Sequence, residues 1–333
     1  MTSHPVRADP AGMAGSSRAL TQRRPLGDRV FQAVALVAGL LVLAILVLIL
    51  ISTTQQSTSW FSKEGIAGIF SVTWDQVHLK FGALTFLYGT AITSLIAVIL
   101  SVPVSLGIAL LLNEVVPQRW ARPIVYVIDL LAVVPSVVWG LWGLLVFAPW
   151  AQRDIYAPIA SGVKGVPLLG NLFGPGTNGA VYGTSLFTAG LILAFMITPI
   201  VTSLSREIIA TVPDIDREGA YALGATRLEM IRGVVLPHSQ GGVVGAVLLG
   251  LGRAMGETIA AALVIGSSTQ ITSHLFTPGY SMPAVIANQF GEASGEFQAA
   301  LIGLGVLLFV LTIIVNMVAR GVVARSMKRQ RGA

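Results

Sequence analysis

Long apolar runs separated by short polar stretches set the plan of this chain. About 20 mostly apolar residues suffice for one helical crossing of a bilayer. Six segments meet that test, at 30–51, 82–112, 123–149, 181–204, 234–266 and 299–319. Several run longer than one crossing needs, so tilt or kinks are expected. The pattern predicts an all-α polytopic membrane protein with six transmembrane helices. The first run, Val30–Ile51, is too long for a signal-peptide core, and Ser52-Thr53-Thr54-Gln55-Gln56 after it shows no small-x-small cleavage pattern. It reads as a retained first transmembrane helix, 29–52. Residues 1–28 carry Pro, Arg and Ser without apolar periodicity and read as a disordered tail. Residues 321–333 read as a basic tail.

Composition agrees, with 54% apolar and 11% charged residues. The net charge of +6 would suit nucleic acid, but its distribution argues otherwise. Lys and Arg number 16 on one alternating set of loops and 4 on the other, with Arg253 completing the 21. By the positive-inside rule both termini are cytoplasmic. Arg320, Arg325, Lys328, Arg329 and Arg331 then set topology and contact anionic lipid rather than nucleic acid. Without cysteine the chain has no disulfide or thiolate metal site. His4, His78, His238 and His274 are isolated, so no metal site is expected. A P-loop needs Gly-Lys, and Lys63, Lys80, Lys164 and Lys328 follow Ser, Leu, Val and Met. The chain therefore binds no cofactor of its own and is not an enzyme by this route; ATP-driven work would need a separate subunit.

The outward loops carry softer signals. Trp60, Phe61 and Trp74 in loop 52–81 fit an aromatic belt at membrane level. Loop 150–180 is so rich in Gly and Pro that no long regular helix is expected. Its apolar stretches suggest that it folds back over the outer mouth. Loop 267–298 has no Lys or Arg and carries Glu292 and Glu296.

Gly252-Arg253-Ala254-Met255-Gly256-Glu257-Thr258 places two charges four residues apart in an apolar segment. A charge at the bilayer centre costs at least ~2.5 kcal/mol, so such residues face a cavity or a partner. On a continuous helix Gly241, Gly245, Gly252 and Gly256 fall within about 60° of arc, a stripe that lets another helix approach closely. Arg253 and Glu257 lie beside that stripe, at the edge of a helix contact. Asp129 is placed to snorkel or to bond a helix terminus. Pro103, Pro135 and Pro199 lie inside spans and permit kinks. Ser136 can bond the backbone freed by Pro135, or a substrate.

The inward loop 205–233 is the second informative segment. Pro213 with Asp214 or Asp216 starts a short helix, and Gly224 interrupts it. Thr226-x-x-Glu229 then matches a capping box before Met230-Ile231. The expected unit is helix, glycine turn, helix, with small residues leaving room for another protein.

This loop, Glu218-Gly219-Ala220-Tyr221-Ala222-Leu223-Gly224 and then Val234-Val235-Leu236-Pro237, resembles the EAA signature of ABC-importer permeases. Gly219 and Val234 are small or apolar departures from that signature. The resemblance implies the type I ABC-importer permease fold over about residues 80–320. It also implies that Glu218, Gly219, Ala220 and Gly224 belong to a coupling helix docked on a cytoplasmic ATPase, which carries the ATP and Mg. Val134-Pro135-Ser136-Val137-Val138-Trp139-Gly140-Leu141 and the Arg253–Glu257 run are similar to PstC-type permease subunits of the bacterial high-affinity phosphate importer. By that resemblance the partners are a PstA-type paralogue, PstB-type ATPases and an extracytoplasmic PstS-type binding protein, in the inner membrane. A substrate pathway through Arg253, Glu257, Ser136 and Thr258 follows, since a guanidinium fork suits phosphate oxygens.

Other readings stay open on the residues themselves. The charged pair can be glue between helices, as buried pairs often are. The cargo can be another oxyanion, such as molybdate or phosphonate. A secondary transporter or channel would need no ATPase, but no inverted repeat of interrupted helices is visible.

Overall fold

The computed structural model describes residues 26–331. The chain divides between Ile51 and Ser52 into two units. The first is described by α1 (Leu26–Gln56), an apolar helix over most of its length. Leu26–Asp28 open this helix, although they were expected in the disordered tail; residues 1–25 of that tail lie outside the described residues.

The second unit begins with structure where a plain loop was expected. α2 (Thr58–Ile69) is followed by a two-stranded hairpin, β1 (Trp74–Asp75) and β2 (Lys80–Phe81), with Trp74 opposite Phe81. Asp75 accepts the backbone N–H groups of Val77 and His78, at 2.8 and 3.1 Å, which fixes the turn. The belt reading of the aromatics is corrected here. Trp60 is 2% exposed and donates its indole N–H to the Phe81 carbonyl at 2.9 Å. Its ring fills the space at Gly303, where a Cβ would lie 2.2 Å away. Phe61 packs on Trp60, and Trp74 packs edge-on against Phe81, Phe86 and Phe297. These side chains hold the outer segment to the protein core.

Next comes α3 (Leu84–Leu110), extended by a π-helical turn to Val115, and then α4 (Gln118–Val133). The predicted third span, 123–149, is not one helix. It bends by 88° between α4 and the helical run that starts at Ser136. Pro135 disfavours the helical region for Val134, whose ψ is 125°. The run continues through α5 (Ser136–Trp142), α6 (Ala148–Ala151) and α7 (Ala157–Gly162), joined by π turns at Gly143–Phe147 and Gln152–Tyr156. Helix therefore covers the first thirteen residues of the supposed loop. Pro149 and Pro158 each stand just past a π turn, and so does Pro237 further on. The widened turn has already displaced the regular i−4 bonding, so a residue without N–H is accommodated.

After α8 (Leu169–Phe173) the chain folds back. Leu275 N–H reaches the Leu172 carbonyl at 2.8 Å, and Tyr182 N–H reaches the Phe276 carbonyl at 3.0 Å. α9 (Leu186–Ala210) is the central helix, capped by Ser185, which accepts the Thr188 N–H. It runs parallel to α3 and in step with it. Ser105 donates to the Thr198 carbonyl and Asn113 to the Arg206 carbonyl, both across 93 residues. Beyond it lie α10 (Asp214–Ala222), α11 (Arg227–Met230), α12 (Leu236–Gly256), α13 (Ile259–Val264), α14 (Met282–Gln289) and α15 (Gly295–Arg331). Among the described residues five helices are long and apolar enough to cross a membrane, six if the bent α4–α5 run counts as one span. This is a multi-pass membrane protein with the all-α fold expected. α15 continues helically through the segment read as a basic tail, of which Gly332 and Ala333 lie outside the described residues.

Candidate functional site

The fifth span also departs from expectation, and the departure shapes the site. α12 ends at Gly256, Glu257 takes an extended conformation with ψ 125°, and α13 starts afresh at Ile259. Arg253 and Glu257 are therefore not an i, i+4 pair on one helix. Arg253 is exposed in the last turn of α12 and makes no ion pair among the described residues. Glu257 is half-buried at the break, where its Oε1 lies 3.5 Å from the Ala260 N–H, a long contact with the start of α13. Thr258 is the half-buried residue before α13.

The glycine stripe meets no helix of this chain. Within this chain Gly245, Gly252 and Gly256 have nothing within 4 Å of a Cβ position. Gly241, Gly245, Gly252 and Arg253 line one wall of an open groove of about 1070 Å³, with Asn316 and Arg320 of α15 on the other. The tight contact falls on other glycines. A Cβ at Gly242 would meet Ile208 at 2.6 Å, and one at Gly250 would meet Val201 at 2.6 Å, so these two seat α12 on α9. Within this chain, then, the stripe faces the groove and the seating on α9 falls to its neighbours on α12.

A second interruption lies at the level of the first. α13 packs on the start of the α5 run so closely that a Cβ at Gly140 would fall 2.9 Å from the Ala260 Cα. Gly143 meets Val264 three residues on, so the two segments run in step. Ser136 is the first residue of α5, and Glu257 and Thr258 immediately precede α13, so all three stand where these two packed helices begin. Three of the four expected pathway residues thus lie at the two helix breaks, Ser136 at one and Glu257 and Thr258 at the other. Arg253 stands one turn earlier on α12, open to the groove. Asp129 of α4 lies apart from them and accepts the Ser203 hydroxyl of α9 at 3.0 Å.

At the other end of the fold, loop 205–233 has the expected form. α10 ends at Ala222, and Gly224 turns the chain with φ +83°, a left-handed conformation that favours glycine. Thr226 and Glu229 close the capping box, with Thr226 N–H donating to Glu229 Oε2 at 2.8 Å. Glu218, Gly219 and Gly224 are exposed and Ala220 is half-buried. Around them Ile215, Tyr221, Leu223 and Leu228 are exposed, Leu223 at 91%. An apolar patch on a polar loop is a surface built to be covered.

Arg217, which the sequence reading passed over, anchors this loop. Its guanidinium donates to the Ile209 carbonyl in the last turn of α9, to the Val212 carbonyl just past it, to Asp214 and to Glu114 after α3. The only local signal is its place directly before Glu218. Among the described residues no cluster has the makings of a metal site.

Comparisons with known proteins fit this geometry. Residues 101–328 match the family model described as binding-protein-dependent transport system inner membrane component. The chain is 42% identical to the phosphate transport system permease protein PstC of Mesorhizobium japonicum, covering 93% of this chain and 94% of that one. It is 40% identical to PstC of Haemophilus influenzae, over 92% and 95%. It is also 40% identical to PstC 2 of Mycobacterium tuberculosis, over 89% and 91%. Among solved structures, the bacterial alginate ABC transporter in complex with its alginate-bound periplasmic protein superposes with a TM-score of 0.58 at 17% identity, over 91% of this chain and 98% of that one. The inward-facing MetNI methionine ABC transporter gives 0.52 at 14%, over 76% and 99%. These likenesses carry the fold, that of type I ABC-importer permeases. The chain belongs to the family of binding-protein-dependent transport system inner membrane components, and within it to the PstC permeases.

Proposed function

We propose that this chain is the permease subunit of an ATP-driven phosphate importer in a bacterial inner membrane. It forms half of the translocation pathway and hydrolyses nothing itself. The observation that carries the reading is Arg253, a cation without an ion-pair partner among the described residues, open to a groove in a membrane-spanning segment. Such a charge is costly unless it has work to do. Its planar fork fits two oxygens of phosphate at any working pH. Glu257, held at the helix break, accepts the hydrogen bond of a protonated phosphate oxygen, which sulfate does not offer. Ser136 and Thr258 add hydroxyls at the same level. The names of the relatives, all phosphate transport permeases, support the choice of cargo.

Partners follow from the same reading. A PstA-type paralogue completes the pathway, and PstB-type ATPases with bound ATP and Mg dock on α10, Gly224 and α11. A PstS-type protein delivers the anion outside. Both termini are cytoplasmic, and the basic tail contacts lipid headgroups rather than nucleic acid. The test is uptake of labelled phosphate by vesicles holding this chain with the paralogue, ATPase and binding protein. Uptake should require ATP and should not respond to excess molybdate or phosphonate. Uptake without the ATPase would place the chain among secondary carriers and overturn the reading.

A further inference from the structure

Arg217 satisfies more of the molecule than any other charged side chain described. Nη1 donates to the Val212 carbonyl at 2.7 Å and to Asp214 Oδ1 at 2.8 Å. Nη2 donates to the Ile209 carbonyl at 3.0 Å and to Glu114 Oε1 at 3.1 Å. The Arg217 side chain is 16% exposed and that of Glu114 6%, so water screens this pair little. Asp214, at 87%, adds little to the clamp. The Ile209 carbonyl lies in the last turn of α9 and that of Val212 two residues past its end, where the helix dipole favours a cation. One guanidinium on α10 therefore ties the ends of two spans that also bond each other through Asn113 and the Arg206 carbonyl at 2.8 Å. Beneath it, Ala109 of α3, Ile209 and Val212 share an apolar cluster with Met230 and Val235, so α11 joins the same block.

We propose that Arg217 is a positioning residue that makes α10 one rigid block with the ends of α3 and α9. A displacement of α10 is then delivered to both spans instead of being absorbed by the loop. The inference rests on the reading of α10, Gly224 and α11 as the ATPase-docking element. Lysine cannot replace Arg217, because one ammonium does not reach four acceptors in a planar fan.

The test separates coupling from folding. The double variant Arg217→Met with Glu114→Gln removes both charges together, so no buried charge is stranded. In the assembled complex it should still retain the ATPase, while labelled phosphate moved per ATP hydrolysed falls by roughly tenfold, within the usual range of coupling between sites. Arg217→Lys should recover only part of that loss. A wild-type ratio in the double variant, or loss of the ATPase from it, overturns the proposal. A second readout does not depend on cargo. The chain has no cysteine, so spin labels at Asp216→Cys and Val115→Cys report the α10–α3 distance without background. Their distance distribution should be narrow in the parent and broad in the double variant; equal widths overturn the rigid block. A parent complex that moves no phosphate would defeat the functional reading alone, because the label distances still decide the block.

Discussion

Arg253 and Glu257 change meaning once the helix between them ends at Gly256. On a continuous helix, removing the arginine would strand a buried carboxylate and confuse lost transport with lost folding. Here the arginine has no ion pair among the described residues to lose. Arg253→Ala should therefore leave insertion and assembly intact. Hydrogen bonds to charged groups are worth about 1.5–3 kcal/mol, so phosphate uptake should fall by roughly one to two orders of magnitude. Arg253→Lys keeps the charge but not the fork and should restore little of it. The check is uptake alongside membrane yield and co-purification of partners. An Arg253→Ala chain that inserts normally but loses its partners on co-purification would make the residue an assembly determinant instead. The residue scale is also where the sequence was least legible. Glu114 and Arg217 lie 103 residues apart and carry no shared local pattern.

Elements were legible to the extent that their determinants are local. The capping box is set by two residues three apart, and the φ of Gly224 by the turn it sits in, so both were visible in the loop. Gly256-Glu257-Thr258 contains no proline, and nothing local distinguishes its break from continued helix. Pro135 was visible, but as a kink rather than an 88° bend. π turns left no trace that apolar periodicity could detect, and so the helix running to Gly162 was missed. Two substitutions test these elements. Gly224→Ala meets open space, so its cost is conformational, about 1–2 kcal/mol for the left-handed backbone. It should loosen α10 from α11 and lower ATPase stimulation without unfolding the membrane core, as read by ATPase assays and thermal melts. On α12, Gly250→Ala should destabilise by about 1–3 kcal/mol through overpacking on Val201, whereas Gly245→Ala, with nothing within 4 Å, should leave the isolated chain unchanged. Equal melting shifts for the two variants would contradict the seating of α12 on α9.

At the scale of the molecule, charge decides how an anion arrives. The outward segments hold few cations, and the structure shows two of the four already engaged: Lys63 pairs with Glu296, and Arg153 with Asp154. Glu296 is therefore not the free acid it resembled in the sequence, but Glu292 remains in loop 267–298, which has no Lys or Arg. A face this nearly balanced neither concentrates nor steers phosphate, since steering needs an excess of one sign over a cleft. Inside the groove the balance reverses, with Arg253 on one wall and Arg320 on the other. On the proposed function, capture from dilute solution falls to a docked binding protein. Uptake at low phosphate should depend almost wholly on the extracytoplasmic binding protein. Raising ionic strength should slow it through docking of that protein, while Lys164→Gln and Lys80→Gln should not alter the affinity for phosphate itself. These dependences are measured by initial uptake rates across phosphate and salt concentrations, with and without the binding protein. Full-rate, salt-sensitive uptake by the membrane complex alone would show that the outer face captures the anion unaided, and the delivery model would fail.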